Sequence, residues 1–253
     1  MKPLLDVCNV SYAYHTLSGE TKALNCLSFQ VHFNEFLGII GPSGCVKSTV
    51  LSLISGLIPP ESGEIKIHEA LCNNHAMPIG YMLQKDHLLE WRTIYENVLL
   101  GLEINDQLTP ARIKSVNQML KDYGLENFKN SKPSELSGGM RQRAALIRTL
   151  ALNPGLLLLD EPFSALDYQT RLNVSEDIYM ILRKKHKSAI LVTHDISEAI
   201  SFCDRIIVLT ERPGTVKKDL PIELDMDVKT PLKARSAKGF LEYFNQLWGD
   251  LNG

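Results

Sequence analysis

The sequence lacks a strong charge of one sign, a long hydrophobic run and an early signal segment. Its 27 Lys and Arg nearly balance its 29 Asp and Glu, for a net charge of -2. No broad basic field therefore exists to hold nucleic acid through phosphate contacts, so we expect no nucleic-acid partner. The longest apolar runs have the length of buried strands and fall far short of the ~18 residues of a membrane span. Asp6 lies too close to the N-terminus for a secretory signal.

The cysteines also lack paired spacing. They lie at positions 8, 26, 45, 72 and 203, an odd number that predicts reduced thiols in a cytoplasmic protein and argues against a disulfide framework or a zinc site. With 253 residues, of which 44% are hydrophobic and 22% charged, the chain predicts one large folded domain, or a core with a sizeable insertion.

Strand patterns alternate with helical ones over most of the chain. An unbroken apolar run at 36–40 predicts a strand covered on both faces, and helical spacing from Val50 to Leu57 predicts a helix that Pro59 ends. Residues 27–33 predict a half-buried antiparallel strand with Leu27, Phe29, Val31 and Phe33 on one face. Further strand patterns at 156–159, 189–193 and 205–210 indicate a mostly parallel sheet with helices on its faces.

Residues 88–152 form a helical block that we interpret as an insertion into the α/β core. Thr93 with Glu96 predicts a capping box, Thr109-Pro110 a helix start, and Ser137 the cap of a helix that runs to about residue 152. Near the C-terminus an apolar stripe at helical spacing predicts a helix packed on its own domain; its residues are Phe240, Leu241, Phe244, Leu247 and Trp248.

The segment 41–49 follows a buried strand and opens a helix, which is the context of a phosphate-binding P-loop. Successive backbone N–H groups and the positive end of the helix would hold phosphates, Lys47 would reach the β- and γ-phosphates, and Ser48 would offer its hydroxyl to Mg²⁺. The predicted nucleotide-binding residues are Gly41, Pro42, Ser43, Gly44, Cys45, Val46, Lys47, Ser48 and Thr49.

Val46 stands where the P-loop pattern has glycine. A β-branched side chain would cost roughly 1–3 kcal/mol if the backbone there needs a conformation that glycine alone finds easy, and its methyl groups could occupy space that the phosphates need. We therefore expect the chain to bind ATP at least about tenfold more weakly than its Val46→Gly counterpart. The alternative is a loop that shifts to accommodate valine.

Charged and polar residues follow two of the predicted buried strands. Asp160 and Glu161 come directly after the strand at 156–159, and His194 follows the strand at 189–193. Because ligands of a parallel sheet lie at the carboxyl ends of its strands, Asp160 would face Mg²⁺ near Ser48, and Glu161 would polarise a water against the γ-phosphate. His194 could bind the γ-phosphate and orient Glu161.

The segment Leu136–Gln142, of sequence Leu-Ser-Gly-Gly-Met-Arg-Gln, resembles the signature motif of ABC-transporter ATP-binding subunits. Other motifs of that family occur in family order: Tyr14 matches the aromatic that stacks on adenine, Gln84 the Q-loop glutamine, and Ser164–Asp167 the D-loop. The resemblance covers roughly residues 4 to 215. It implies catalytic roles for Glu161, His194 and Gln84, Mg²⁺ ligands in Ser48, Gln84 and Asp160, and further nucleotide contacts from Tyr14, Ser137, Gly138, Gly139 and Asp167.

This resemblance implies a P-loop NTPase core with an antiparallel β subdomain and an inserted helical subdomain. We expect a single ABC ATPase domain over 1–253, with the core at 1–87 and 153–215, the helical signature subdomain at 88–152, and a C-terminal extension at 216–253 that ends in a helix. The resemblance also implies a homodimer that sandwiches two ATP molecules head to tail on the cytoplasmic face of a membrane. Transmembrane permease subunits would dock near the Q-loop, and a solute-binding protein would act indirectly.

The segment from Gln84 to Val98 looks like the nitrate/sulfonate/taurine importer group, which includes importers of thiamine-precursor pyrimidines, although Glu90 replaces the usual proline. This similarity predicts an exposed Trp91 in the permease-docking groove and an importer that couples ATP hydrolysis to uptake of a small solute. Two alternatives stay open. One is an ABC ATPase without a transport role, and the other is a hydrolysis-deficient subunit, for which Val46 is the only argument.

Overall fold

The computed structural model describes residues 2–17, 19–42, 44, 46–67 and 79–252. The strands are β1 Leu5–Thr16, β2 Gly19–Val31, β3 Phe36–Ile40, β4 Ser62–Ile67, β5 Ile79–Met82, β6 Leu156–Asp160, β7 Ser188–Val192, β8 Arg205–Leu209 and β9 Val216–Pro221. The helices are α1 Lys47–Ile54, α2 Ile94–Ile104, α3 Pro110–Asp122, α4 Gly138–Ala151, α5 Tyr168–Lys184, α6 Ile196–Phe202, α7 Pro231–Ala234 and α8 Phe240–Asn252.

Over the described residues the strands form two sheets. The larger has the order β5-β6-β7-β3-β8-β9; its neighbouring strands are parallel except for β9, which runs antiparallel to β8. The smaller is antiparallel, with β1 between β2 and β4. The predicted α/β class, with a mostly parallel sheet and a separate antiparallel part, is therefore confirmed.

The larger sheet is covered on both faces, as the apolar run at 36–40 predicts. Along β3, Leu37 and Ile39 join an apolar cluster with α1 and the antiparallel sheet. Phe36 and Ile40 point the other way, into a cluster formed with residues of α2 to α6 and α8. All of β3 is buried, because alternate side chains serve opposite layers.

Two predicted boundaries are wrong. Phe33 lies beyond β2, which stops pairing with β1 at Val31, and its side chain is 38% exposed. Helix α1 ends at Ile54, well before Pro59, because Gly56 adopts a φ of 75° and the Leu57 N–H turns back to the Ser52 carbonyl at 3.0 Å. Leu57 is consequently outside the helix and 68% exposed.

The predicted starts of the helices between residues 88 and 152 are confirmed. The Glu96 carboxylate accepts from the Thr93 N–H at 2.6 Å while the Thr93 hydroxyl accepts from the Glu96 N–H at 3.2 Å, which completes a capping box. Thr109 caps α3 with Pro110 in its first turn, and Ser137 caps α4. This block packs into the same apolar cluster as one face of the larger sheet.

The segment after residue 215 joins the core. Strand β9 pairs with β8, and Leu247 of α8 is fully buried in the apolar cluster that includes α6. The prediction that the whole stripe packs on its own domain is wrong for Leu241 and Trp248, which are 68% and 57% exposed. No helix within the described ranges is both long and apolar enough to cross a membrane.

Candidate functional site

The segment 41–46 connects β3 to α1, which places it at the carboxyl end of the larger sheet. Gly44 adopts a φ of 77°, a left-handed conformation that an L side chain rarely adopts, so this glycine is needed for the course of the backbone. Two predicted ligands of this segment, Ser43 and Cys45, lie outside the described residues.

Lys47 is held across the loop that precedes it. Its ammonium donates to the carbonyls of Gly41 at 2.9 Å and Pro42 at 3.2 Å, and the residue is only 6% exposed. Lys47 is also the first residue of α1, and the positive dipole end of that helix attracts phosphate. The cation and the helix terminus therefore point to the same place.

The phenol of Tyr14 meets α1 from the antiparallel sheet. Its hydroxyl lies 2.7 Å from the hydroxyl of Thr49, and its side chain remains 39% exposed. Tyr12 contacts the Tyr14 ring edge to face at 5.1 Å and packs against the neighbouring apolar cluster. A half-exposed ring beside the phosphate loop offers a surface on which a planar base could stack.

Val46 has a negative φ of −78° with ψ 40°, which lies in neither the helical nor the extended region. It therefore does not use the left-handed conformation that glycine alone finds easy. The side chain is 4% exposed and packs in the apolar cluster with Leu24, and a Cβ added to Gly214 would lie only 3.1 Å from Val46 Cγ2. The valine thus anchors the loop to the core, which sequence reasoning did not foresee.

Ser48 and Asp160 meet at the mouth of this loop. The Ser48 hydroxyl donates to Asp160 Oδ1 at 3.0 Å, although the two residues lie far apart in the sequence. Asp160 is 7% exposed, and burial raises the pKa of its carboxyl, opposed by the hydrogen bond from Ser48. Hydroxyl and carboxylate oxygens are ligands that Mg²⁺ prefers, and a divalent cation would favour the ionised carboxylate.

Tyr81 also contacts Asp160, and sequence reasoning missed it. Its hydroxyl lies 3.5 Å from Asp160 Oδ2, and burial, with the nearby Asp160 charge, raises the pKa of Tyr81 to about 12. The feature that could have identified Tyr81 is its position in the short strand β5, where it pairs with Leu158 of β6.

Glu161 is the meeting point of the strand-end residues. His194 Nδ1 lies 3.2 Å from Glu161 Oε2, and the Gln84 side-chain amide donates to the same oxygen at 3.2 Å. Glu161 has a φ of 46°, a conformation that costs a residue other than glycine about 1–3 kcal/mol and is concentrated at functional sites. Its own N–H donates to the Val192 carbonyl at 2.8 Å, which fixes it to the end of β7.

The side-chain oxygen of Gln84 accepts no hydrogen bond from any residue within the described ranges. Gln84 reaches this site through Glu161, the residue after Asp160, while the Ser48 hydroxyl and the Asp160 carboxylate offer oxygen donors of the kind that Mg²⁺ prefers. We name Ser48, Gln84, Asp160, Glu161 and His194 the strand-end cluster.

The second group of predicted residues lies at two helix starts. The Ser137 hydroxyl accepts from the Met140 N–H at 3.4 Å, and the Asp167 carboxylate accepts from the Thr170 N–H at 3.0 Å. Hydrogen bonds from Thr170 lower the pKa of Asp167, which is exposed. We name residues 137–139 the signature turn.

The signature turn leaves no room for a Cβ at Gly139 and little room for one at Gly138. A Cβ added to Gly139 would lie 2.8 Å from Thr170 Cγ2, and one added to Gly138 would lie 3.3 Å from Leu166 Cδ2. The turn therefore packs directly on the start of α5. Ser137 itself is exposed, and within the described part of the chain its side chain bonds only to its own helix.

A cavity of about 710 Å³ lies between the strand-end residues and α8. Gly41, Pro42 and His194 line one side, and Phe244 and Trp248, whose rings stack at 6.2 Å, line the other. Trp248, one of the two exposed residues of the C-terminal stripe, thus borders the phosphate loop.

Comparison with known proteins agrees with this geometry. The family described as ABC transporter matches residues 24–164. The chain is 44% identical to the uncharacterized ABC transporter ATP-binding protein YtlC of Bacillus subtilis, over 98% of this chain and 95% of that protein. It is 34% identical to the nitrate import ATP-binding protein NrtD of Synechocystis, with the same coverage of both chains.

A solved structure is similar over most of the chain. The dimeric, post-hydrolysis state of the ATP-binding cassette MJ0796, bound to ADP and Pi, superposes with a TM-score of 0.73 at 31% identity, covering 87% of this chain and 99% of that one. By its sequence and its fold, the chain belongs to the ATP-binding subunits of ABC transporters.

Proposed function

We propose that this chain hydrolyses ATP to drive uptake of a small solute through a separate membrane permease. The observation that carries the proposal is the convergence on Glu161, whose carboxylate lies within hydrogen-bonding distance of both His194 and Gln84. A carboxylate held between an imidazole and an amide at the end of a parallel sheet is suited to accept a proton from an attacking water.

The other members of the site take complementary roles in this proposal. Lys47 and the first turn of α1 bind the phosphates, and Tyr14 offers its ring to adenine. Ser48, Asp160 and Gln84 hold Mg²⁺, which when bound neutralises charge that develops on the transferred phosphoryl group. His194 orients Glu161 and contacts the γ-phosphate.

The active unit in this proposal is a head-to-tail dimer. Among the residues that the structure describes, the Ser137 side chain bonds only to its own helix α4, while its exposed hydroxyl and the helix terminus are suited to bind an anion. The similar cassette MJ0796 forms a dimer bound to ADP and Pi. The signature turn of one copy would thus complete the phosphate site of the other, and Asp167 would lie at the same interface.

The permease would dock on residues 84–93. Asn97, which is fully buried, binds this segment through the Leu89 N–H at 2.7 Å and the Thr93 carbonyl at 2.9 Å. Arg148 donates to the His87 carbonyl at 2.7 Å. The backbone is therefore fixed while Trp91 stays 73% exposed, and a rigid exposed aromatic is a typical anchor of a protein interface.

Relatives guide the choice of solute. Beside the nitrate protein, the aliphatic sulfonates import ATP-binding protein SsuB of Bacillus cereus is 36% identical over 85% of this chain and 84% of that protein. We infer an importer of the nitrate, sulfonate, taurine or thiamine-precursor kind, placed at the cytoplasmic face of the membrane by its permease and served indirectly by a solute-binding protein. Neither alternative, an ABC ATPase without transport or a hydrolysis-deficient subunit, gains support from the site or the relatives.

Co-purification with the permease tests the docking assignment. Trp91→Ala should weaken recovery of a polytopic membrane partner from detergent-solubilised membranes at least about tenfold, because the interface loses its aromatic anchor. ATP turnover of the isolated chain should be largely unchanged. Leu241→Ala is the matched control, since Leu241 is likewise exposed, at 68%, but belongs to α8 and not to residues 84–93.

Equal recovery of the partner by Trp91→Ala and by the unmodified chain would contradict the docking assignment. Recovery of no membrane partner by the unmodified chain would contradict the transport role itself. Uptake of labelled sulfonate, nitrate or pyrimidine by cells with and without the chain would then identify the solute.

A further inference from the structure

The first turn of α5 lies between three loops of the proposed ATPase. It follows the 164–167 loop, which resembles the D-loop of the family. It also packs against the signature turn through Thr170, which leaves no room for a Cβ at Gly139. Its third neighbour is the loop between β7 and α6 at residues 193–195, which carries His194.

Arg171 of this turn contacts two of those loops at once. One guanidinium nitrogen, Nη2, donates to the Leu166 carbonyl at 3.2 Å, and the other, Nη1, lies 3.6 Å from Asp195 Oδ2. The Arg171 and Asp195 side chains are only 25% and 30% exposed. A partly buried ion pair with a fixed geometry is screened less than one at the surface.

Asp195 is itself fixed in the His194 loop. Its Oδ1 accepts from the Glu198 N–H at 3.1 Å and caps α6, while its own N–H donates to the Thr193 hydroxyl at 3.1 Å. Thr193 in turn donates to the Glu198 carboxylate, which is 6% exposed. A displacement of the Arg171 guanidinium would therefore act on the residues on both sides of His194.

We propose that Arg171 is a positioning residue that links the 164–167 loop and the signature turn to the loop carrying His194. The proposal rests on the head-to-tail dimer of the proposed function. In that dimer the signature turn of a chain serves the partner's ATP, whereas His194 serves the ATP of its own chain. The first turn of α5 joins the two within one chain, through Thr170 at the signature turn and Arg171 at Asp195. Occupancy of one site therefore changes the position of His194 at the other, and hydrolysis becomes cooperative in ATP.

Amide hydrogen exchange of the full chain without nucleotide tests the link itself. Arg171→Gln should increase exchange in the peptides that cover 161–168 and 193–200, because both loops lose a common partner. Arg171→Lys should restore part of the protection through its retained charge. Arg143→Gln is the matched control: Arg143 pairs with Asp177 at 2.8 Å between α4 and α5, and, like Arg171, its Nε is buried without a partner among the described residues.

ATP turnover against ATP concentration tests the consequence. Arg171→Gln should lower maximal turnover by about tenfold and bring the Hill coefficient toward one, with unchanged ATP affinity of the single chain, whereas Arg143→Gln should change neither. Unaltered exchange in the two loops overturns the proposal. So does unaltered cooperativity, or an equal effect of Arg143→Gln. An unmodified chain that hydrolyses no ATP refutes the proposed function instead, and the exchange comparison still decides whether Arg171 links the loops.

Discussion

The strand-end cluster and the signature turn are built in opposite ways. In the cluster, side chains that are distant in sequence bind one another directly, as Ser48 does with Asp160 and Gln84 with Glu161. In the signature turn, Ser137 binds an N–H three residues further along its own helix. The first arrangement depends on contacts between distant segments, whereas the second is local and leaves an exposed helix start.

This difference shows which half of the proposed ATP site a single chain completes. The strand-end cluster already brings an acid, an imidazole and an amide to one point. The signature turn is rigid, because Gly139 and Gly138 pack on Thr170 and Leu166, yet it acts on no group of its own strand-end cluster. A rigid helix start that contacts no group of its own strand-end cluster is suited to bind the ATP held by a second copy of the chain.

The largest effect is expected from Glu161→Gln in a chain that also carries Val46→Gly. Glutamine keeps the shape of the side chain but cannot accept a proton, so turnover should fall at least about 10²-fold while ATP binding persists. The stalled chain should dimerise in ATP-Mg²⁺. Phosphate release measures turnover, and light scattering measures dimerisation.

Ser137→Ala in the same background separates the two regions. It should abolish the ATP-dependent dimer while the single chain still binds ATP, because the strand-end cluster is unchanged. Near-normal turnover by Glu161→Gln would remove Glu161 from the role of base, and loss of ATP binding by Ser137→Ala would show that the two regions are not separate.

A smaller effect is expected from Val46→Gly alone. Because Val46 anchors the loop against Leu24 and Gly214, glycine should let the loop amides converge on phosphate, and ATP should bind at least about tenfold more tightly. The same change should lower the free energy of unfolding by about 1–2 kcal/mol, since a buried valine side chain is lost.

Val46→Ala tests the cause. It removes most of the packing that anchors the loop, so the free energy of unfolding should fall and ATP affinity should rise, as expected for glycine. Calorimetric titration with ATP-Mg²⁺ and urea denaturation measure both quantities. Equal dissociation constants for valine and glycine would show that the loop tolerates valine.

The smallest effect on ATP turnover is expected from Glu198→Gln, behind the His194 loop. The effect of this variant should appear in the pH dependence of the free energy of unfolding. Burial raises the pKa of Glu198 to about 7 from an ordinary value of 4.5. A carboxyl whose pKa is raised in the folded state stabilises the protein fully below pH 4.5, and this contribution is lost as the pH rises through 7. Glutamine does not titrate, so the variant should be more stable than the unmodified chain by about 1–3 kcal/mol at pH 8 and lose this advantage at pH 4.

Urea denaturation of both forms between pH 4 and pH 8 measures the difference. Glu242→Gln, which alters an exposed carboxylate at the start of α8, should follow the unmodified chain. A constant difference in the free energy of unfolding across that range would show that Glu198 does not titrate there.

The sequence by itself determined the features that depend on local order. The strand at 36–40, the capping box at Thr93 and the helix start at Ser137 follow from apolar periodicity and from hydrogen bonds within a few residues, and all are confirmed. The order of the family motifs likewise identified the family without any coordinates. Such features need no knowledge of what lies across the fold.

Only the tertiary structure decided what depends on contacts between distant segments. It placed Tyr81 beside Asp160, Arg171 beside Asp195, and the Val46 side chain in the core against Gly214. It also left Trp248 exposed beside the phosphate loop, where the periodicity of α8 could not say which of its apolar residues would be covered. The physical reason is that periodicity fixes the face a residue occupies on its own element, whereas burial and pairing depend on which other element folds against that face.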